Sequence, residues 1–397
     1  MITISSKVSH LEIEEIRKVI SNPKSRVLRL PTHLELGGAF GLPVSIIQLI
    51  ADWANKQENP ILRLYSSLDD NKQLNAFSGT AHGMVSLYFS SILQGKNGDE
   101  QPSKDYRSYI IPYVEAMQES KYDKTMQGRG VFLCCFASAR NEFLFPLYKS
   151  PELEKIRPRD EFPILIKQIL DKVAPEALRR LDKDDLTNVS QLIYELFSNT
   201  HRHARTDVNE NLIRRGTRGI YLKYIPQGHS ESIESNFGTG DVNLNRYLAR
   251  AITEQPKRTL QHNPVRLANS FLEVSVFDTG PGLARRWLSK KSEDGVNDKF
   301  IGITIDEEFD LVRECFISGQ TSNDEYGRGE GLPNVLESLT NLKAFLRLRT
   351  GRLCLEQDFS QKKKSFSFTH WQPKQPELVE AIGARYTAII PLGVMRK

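Results

Sequence analysis

LTNVSQLIYELFSNTHRHA, residues 186–204, carries apolar side chains at spacings of three and four, which predicts an amphipathic helix. The apolar positions are Leu186, Val189, Ile193, Leu196 and Phe197. At roughly 100° per residue, Glu195 and Asn199 lie about 40° apart on the opposite side, and His203 follows one turn later. We therefore expect a helix that packs through one face and presents a carboxylate, an amide and an imidazole on the other. Taken alone, an ordinary surface helix remains an equal alternative.

A second segment, FLEVSVFDTGPGL at residues 271–283, alternates apolar and polar residues and predicts a strand that ends at Asp278. The glycines of the following turn, Gly280 and Gly282, allow close approach of the backbone. A carboxylate in this position can accept a hydrogen bond from an exocyclic amino group in a pocket. An aspartate that only stabilises its own turn is the simpler alternative.

The third segment is YGRGEGLPNVLESLTNL, residues 326–342, in which three alternating glycines precede a helical pattern that begins near Leu332. The glycines are Gly327, Gly329 and Gly331. Backbone N–H groups at a glycine-rich helix start favour an anion, because the helix dipole is positive there. No GK[ST] follows, so the segment is not a Walker loop, and no strand precedes it as a Rossmann motif would require.

The order of the three segments is more specific than any one of them. A helix with ExxxN, a strand that ends in DxGxG, and GxGxGL at a helix start together resemble the N, G1 and G2 boxes of the GHKL ATPases, the family of gyrase, heat-shock chaperone, histidine kinase and mismatch-repair ATPases. The resemblance covers roughly residues 165–395, and the segments 342–352 and 383–392 are similar to the closing strands of that family's two-layer α/β sandwich.

This resemblance implies a site for ATP and Mg²⁺. Glu195 would polarise the attacking water, Asn199 would bind Mg²⁺, and Asp278 would hydrogen-bond the adenine amino group. The other positions that it assigns to the nucleotide are Gly280, Gly282, Gly327, Gly329, Gly331 and Leu332. Residues 283–326 would form a lid over ATP.

Several positions refine or depart from the family pattern. His203 is similar to a histidine of small serine kinases that regulate sigma factors, which implies a catalytic role; a capping or packing histidine is the alternative. Sensor histidine kinases tend to have Asn where Glu195 stands. His10 superficially resembles their phosphoacceptor, but no dimerisation hairpin surrounds it. The closing strand has GAR at 383–385 instead of a Gly-Thr pair, and the function of the long insertion 205–270 is unassigned.

The first 150 residues predict a smaller α/β regulatory domain. Strand and helix patterns alternate in the segments 26–31, 44–56, 61–67, 83–93 and 130–138. That order predicts parallel strands and resembles the regulatory STAS type of domain in element order alone. Prolines between 140 and 160 place the boundary near residue 150, which gives domains 1–150 and 151–397.

Length, composition and charge restrict the kinds of protein that this sequence can encode. At 397 residues the chain suits about two domains, and 26% charged and 39% hydrophobic residues are typical of a soluble globular protein. The N-terminus has no secretory pattern, no apolar run approaches the roughly 18 residues of a membrane span, and the four cysteines lack CxxC spacing. These features predict a cytoplasmic protein with reduced thiols. A net charge of +5 leaves a nucleic-acid partner open without favouring it.

The leading hypothesis from the sequence is an ATPase in signalling or defence, in which ATP drives a conformational or dimerisation switch. A protein kinase that phosphorylates Ser or Thr of a regulatory partner is the first alternative. A non-hydrolysing ATP sensor or a DNA-associated clamp is the second. The family resemblance implies a homodimer or a regulatory protein partner.

Overall fold

The chain forms a mixed α/β protein in a computed structural model that describes residues 1–20, 26–35, 40–128, 130–226, 241–253, 270–291, 302–317, 331–361 and 365–392. Two larger sheets and one small hairpin organise the described residues.

The N-terminal part contains a five-stranded sheet in the order β1-β2-β3-β4-β5. Its strands are β1 (Ile2–Thr3), β2 (Val27–Arg29), β3 (Ile61–Arg63), β4 (Ile92–Gln94) and β5 (Glu100–Pro102). The helices of this part are α1 (His10–Ile20), α2 (Leu42–Asn55), α3 (Asn71–Ser78), α4 (Ala81–Phe89) and α5 (Ile111–Gln118). Strands β1 to β4 are parallel and β5 is antiparallel to β4. The predicted parallel layer is thus confirmed, although the segment 83–93 divides into a helix and a short strand.

A seven-stranded antiparallel sheet forms the rest of the core, in the order β13-β12-β11-β14-β10-β9-β6. Its strands are β6 (Val131–Phe136), β9 (Thr217–Ile225), β10 (Ser270–Asp278), β11 (Phe345–Gly351), β12 (Leu353–Asp358), β13 (Thr369–His370) and β14 (Ala381–Leu392). A hairpin of β7 (Tyr148–Ser150) and β8 (Lys155–Ile156) lies apart from both sheets.

Strand β6 corrects one expectation. The strand predicted at 130–138 exists, but it pairs with β9 and not with the parallel layer. All six of its residues are buried, and the strand pairs with β9 from Val131 to Phe136. The chain therefore enters the seven-stranded sheet before residue 150, where the sequence placed the boundary.

One face of the seven-stranded sheet is apolar and is covered by helices. The helices of this part are α6 (Phe162–Val173), α7 (Pro175–Leu178), α8 (Lys183–His203), α9 (Val242–Thr253), α10 (Leu283–Lys291), α11 (Ile305–Cys315) and α12 (Gly331–Asn341). Of these, α9 lies on the other face, where Leu244 and Tyr247 pack with Phe271 of β10 and Phe345 of β11. Helix α8 packs on β9 and β10 and also contacts α6 and α12. Val274 and Val276 of β10 and Ile193 of α8 belong to the same buried cluster.

The other face of the same sheet carries charged side chains and is nevertheless buried. Arg349 of β11 donates from Nε and Nη2 to the two carboxylate oxygens of Glu14 in α1, each at 2.9 Å. Arg17 contacts both Glu14 and Asp52 of α2. Because these arginines and carboxylates are paired, the N-terminal helices can cover a polar sheet face, and losing one partner of such a pair typically costs about 3–5 kcal/mol.

His10 lies within this covered face. Its Nε2 is 3.1 Å from the Phe40 carbonyl oxygen and its Nδ1 is 3.0 Å from Ser45 Oγ. Burial, together with the positive charges of Arg347 and Arg385, lowers the pKa of His10 to about 3. The two hydrogen bonds of this imidazole join α1 to α2 and to the segment before α2.

Candidate functional site

Helix α8 holds two of the predicted site residues. The Asp182 side chain caps its start by accepting a hydrogen bond from the Asp185 backbone N–H, and the apolar stripe holds the helix on the sheet. Glu195 is buried and Asn199 is half-buried on the side that faces α12. The predicted amphipathic helix is confirmed.

Helix α12 brings the last glycine of the third segment to these residues. A Cβ atom placed on Gly331 would lie 3.3 Å from Glu195 Oε2, 3.7 Å from Asn199 Oδ1 and 3.8 Å from Asn199 Nδ2. The two helices are held in register by the Asn341 amide, which donates to Asn188 Oδ1 at 3.1 Å. The structure thus joins the Glu195 carboxylate and the Asn199 amide to a glycine helix start that is 132 to 136 residues away in sequence.

Asp278 ends β10 as predicted, and its carboxylate is buried. The Gly280 backbone N–H donates to Asp278 Oδ1 at 2.9 Å, and the Ala384 N–H donates to the same oxygen at 3.2 Å. Among the described residues no hydrogen bond reaches Oδ2. Burial raises the pKa of Asp278 from its ordinary 3.8 to about 6, and the two backbone donors offset only part of that rise.

The turn after Asp278 needs glycine because other backbones approach it closely. A Cβ atom on Gly280 would lie 2.5 Å from Ala204 Cα, at the end of α8. The Gly383 N–H donates to the Gly280 carbonyl oxygen at 2.8 Å, so the closing strand β14 also contacts this turn. Asp278 is therefore attached both to α8 and to β14. The backbone of Ala384 supplies a contact to Asp278 within the GAR segment that departs from the family pattern.

His203 lies in the last turn of α8 and is half-buried. Its backbone carbonyl oxygen accepts a hydrogen bond from Arg286 Nε at 2.9 Å, which ties α10 to the end of α8. The catalytic role that the sequence suggested for its imidazole stays a prediction. The neighbouring His201 contacts the Tyr148 hydroxyl at 3.0 Å, and burial lowers its pKa to about 3, so it belongs to the packing beneath the helix.

The remaining predicted positions divide into two groups. Gly282 and Leu332 are placed, the first with a φ of 84° beside Thr350 and the second buried in the core. Gly327, Gly329 and residues 292–301 and 318–326 of the predicted lid lie outside the described residues. The described parts of that lid segment are the helices α10 and α11.

Two side chains at the site carried no sequence signal. Asn334 Nδ2 donates to Glu195 Oε1 at 3.4 Å, and Arg159 Nη1 lies 3.4 Å from the same oxygen. Asn334 stands three residues after Gly331, one turn into α12, so a helical projection of the third segment would have found it. Arg159 precedes α6 and reaches Glu195 only through the tertiary fold.

Within the described ranges, no group of three or more His, Cys, Asp or Glu residues is arranged to hold a metal ion. Among the described helices, none combines the length and apolar character that a membrane span requires. No family model, curated protein or solved structure matches the chain.

Proposed function

We propose that the chain binds ATP with Mg²⁺ through a GHKL-type α/β sandwich in its C-terminal part and hydrolyses the γ-phosphate. On this proposal it is a cytoplasmic ATPase that uses ATP to drive a conformational or dimerisation switch in signalling or defence. The observation that carries the proposal is the contact between Glu195, Asn199 and the α12 start at Gly331.

The first support is the shape of this contact. A side chain larger than glycine at position 331 would place its Cβ against the Glu195 carboxylate and the Asn199 amide. The helix start therefore lies in contact range of both groups, with its tightest approach at the Glu195 carboxylate. Backbone N–H groups and the positive end of the α12 dipole favour phosphate at such a point.

The second support is the buried carboxylate of Asp278. One oxygen is satisfied by two backbone donors, and the raised pKa shows that the ionised form is disfavoured where it lies. Buried charges without a partner are retained chiefly where they act on a ligand. An adenine amino group would supply the missing donor to Oδ2.

Mg²⁺ at nucleotide sites keeps several waters and takes few protein ligands beside the substrate phosphates. Asn199 is the residue that would hold it. When bound, the ion supplies charge neutralisation on the phosphates.

The protein's own residues then have separate tasks. Asp278 orients the base, and the first N–H groups of α12 bind phosphate oxygens. Glu195 would accept a proton from the attacking water, which is the task of a general base. Asn334 and Arg159 position the Glu195 carboxylate.

A non-hydrolysing ATP sensor is the second candidate, and the contact of Arg159 with Glu195 favours it. The Arg159 guanidinium lies 3.4 Å from Glu195 Oε1, the oxygen that also accepts from Asn334, and so occupies an oxygen that a general base would need for water. In that case ATP would bind and change the packing of the described helices without turnover.

The test is ATP affinity and Mg²⁺-dependent hydrolysis for the wild type, Glu195→Gln, Glu195→Ala and Asp278→Asn. Glu176→Gln, on the exposed surface of α7, is the matched control and should leave both quantities unchanged. We expect the Glu195 variants to bind ATP with hydrolysis reduced by about 100-fold or more, and Asp278→Asn to lose binding.

Other results of these measurements would support a different function. Tight ATP binding without turnover in the wild type supports the sensor, unless radiolabel moves from ATP to a partner protein, which would indicate the kinase. Salt-sensitive duplex binding would indicate the clamp. If no form binds ATP, the proposed function is wrong.

A further inference from the structure

A cavity of about 660 Å³ lies between the N-terminal layer and the edge of the seven-stranded sheet. Its walls come from the 3-10 helix Ser103–Tyr109, from α5, from residues 137–141 after β6 and from the segment before β9. It shares no lining residue with the candidate ATP site. We call it the arginine pocket, after four of its lining residues, which are Arg107, Arg140, Arg214 and Arg215.

Positive charge predominates among the residues that line the arginine pocket. Four guanidinium groups line it against one carboxylate, that of Glu115, and within the described part of the chain none of the four forms an ion pair. This differs from the interior network at Glu14, in which the arginines are paired. Burial and the nearby charge of Arg107 lower the pKa of Arg215, as expected for cations held together without an anion.

Two of the arginines are fixed in place by the backbone. Arg107 Nη2 donates to the Tyr88 carbonyl oxygen at 3.2 Å, and Arg215 Nη2 donates to the carbonyl oxygen of Phe89. Arg107 also lies over the Tyr88 ring, 5.9 Å from its centroid. A guanidinium that is already held loses little side-chain entropy when it binds a further anion.

The rest of the lining is apolar. The rings of Tyr88 and Phe136 pack against one another at 5.0 Å between centroids, and Ile110, Ile111 and Val114 complete the wall. Pockets of roughly 300–1,000 Å³ with apolar walls and a few convergent polar groups are typical of small-molecule sites.

We propose that the arginine pocket binds a phosphorylated small molecule of nucleotide size, with the phosphate on the guanidinium groups and a planar or apolar body on the Tyr88–Phe136 wall. Arginine suits this role because its planar fork matches phosphate oxygens in pairs. The proposal stands whether or not the chain hydrolyses ATP.

A short run of backbone hydrogen bonds connects the arginine pocket to the turn that bears Asp278. Arg215 is two residues before Thr217, whose N–H donates to Thr279 Oγ1 at 2.8 Å and whose carbonyl oxygen accepts from the Thr279 N–H at 3.0 Å. Thr279 follows Asp278 directly. A ligand that orders the Arg214–Arg215 segment would therefore also order the turn that bears Asp278.

The test uses calorimetric titration of the full chain with UMP, with inorganic pyrophosphate and with a hexaglutamate peptide. UMP is chosen because its base lacks the exocyclic amino group that Asp278 would recognise. The pocket variant is Arg140→Glu with Arg214→Glu, both on exposed side chains, so the fold should be retained. The matched control, Lys172→Glu with Arg179→Glu, makes the same charge change on another exposed surface.

We expect UMP and pyrophosphate to bind the wild type and the control alike, and the pocket variant to bind at least about tenfold more weakly. Hydrogen exchange at the amides of residues 217 and 279 should slow when UMP binds, and UMP affinity should persist in Asp278→Asn even if ATP binding is lost.

Equal affinity in the pocket variant and the wild type overturns the proposal. So does the absence of binding by either phosphate compound up to about 1 mM, a limit near −4 kcal/mol. Binding of hexaglutamate alone would mean that the pocket takes an acidic peptide, and the proposed ligand class would be wrong.

Discussion

Replacing Asp278 by Asn should raise stability and abolish ATP binding at the same time. The folded-state pKa of Asp278, about 6, is above the ordinary value of 3.8, so the folded protein holds this proton more tightly than the unfolded chain does. The free energy of unfolding therefore falls as pH rises from about 3.8 to about 6, and the whole loss is present at pH 7. With about 1.4 kcal/mol for each unit of pKa difference, the loss is roughly 3 kcal/mol.

Asparagine keeps the oxygen that accepts from Gly280 and Ala384 but removes the charge. We therefore expect Asp278→Asn to be about 1–3 kcal/mol more stable than the wild type at pH 7, the lower figure allowing for an amide without a partner. The difference should shrink toward zero below pH 4 because both side chains are then neutral. Urea unfolding at several pH values measures it, and ATP titration at pH 7 measures the loss of binding.

Asp241 provides the contrasting control. It is also buried, but its Oδ1 accepts from Arg347 Nη2 at 2.7 Å and from Trp371 Nε1 at 2.6 Å. Burial tends to raise the pKa of Asp241, but the Arg347 charge and the indole hydrogen bond outweigh burial and lower it. Asp241→Asn should therefore destabilise the protein by about 3–5 kcal/mol. If Asp278→Asn destabilises to the same extent, Asp278 is a structural turn residue and the reasoning is refuted.

Three further substitutions test the site and the covered sheet face. Gly331→Ala should keep or slightly raise the free energy of unfolding, because alanine favours a helix by up to about 1 kcal/mol, but it should weaken ATP binding by crowding the contact with Glu195. Urea unfolding measures the first effect and calorimetry the second. Unchanged ATP affinity would count against phosphate binding at the start of α12. Arg159→Ala should lower hydrolysis in the steady-state assay, because Arg159 positions the Glu195 carboxylate; a higher rate would show that the arginine restrains that carboxylate and would refute the positioning role. Glu14→Gln should lower the free energy of unfolding by about 3–5 kcal/mol, because it leaves a buried arginine unpaired. Glu15→Gln, on the exposed side of the same helix, should change that free energy by no more than about 0.5 kcal/mol. Equal urea midpoints for the two variants would show that the buried pair does not stabilise the protein.

Periodicity in the sequence predicted the local elements of the site. The three-and-four spacing in α8, the alternation in β10 and the helical pattern after Gly331 each identified an element that the structure contains. These patterns predict the elements correctly because one face of each element is buried in the common apolar core. Burial of one face requires apolar residues at the spacing of a helix or a strand, and that spacing is visible in the sequence.

The sequence could not assign strands to sheets. All six residues of the VFLCCF strand are apolar, and this pattern is equally compatible with the parallel sheet and with the edge of the seven-stranded sheet. Its pairing with β9 depends on contacts more than 80 residues away, and the pattern of a fully buried strand does not encode them. The same limit explains why Arg159, far from Glu195 in sequence, was not expected at the site.

By itself, then, the sequence determined the helix that carries Glu195 and Asn199, the strand that ends in Asp278 and the helix that begins at Gly331, because each depends on short-range periodicity. Only the tertiary structure decided that Gly331 meets Glu195, that α1 and α2 cover the charged sheet face, and that four arginines share one pocket. Those contacts arise from packing between distant segments, where buried charges must find partners that no local pattern specifies.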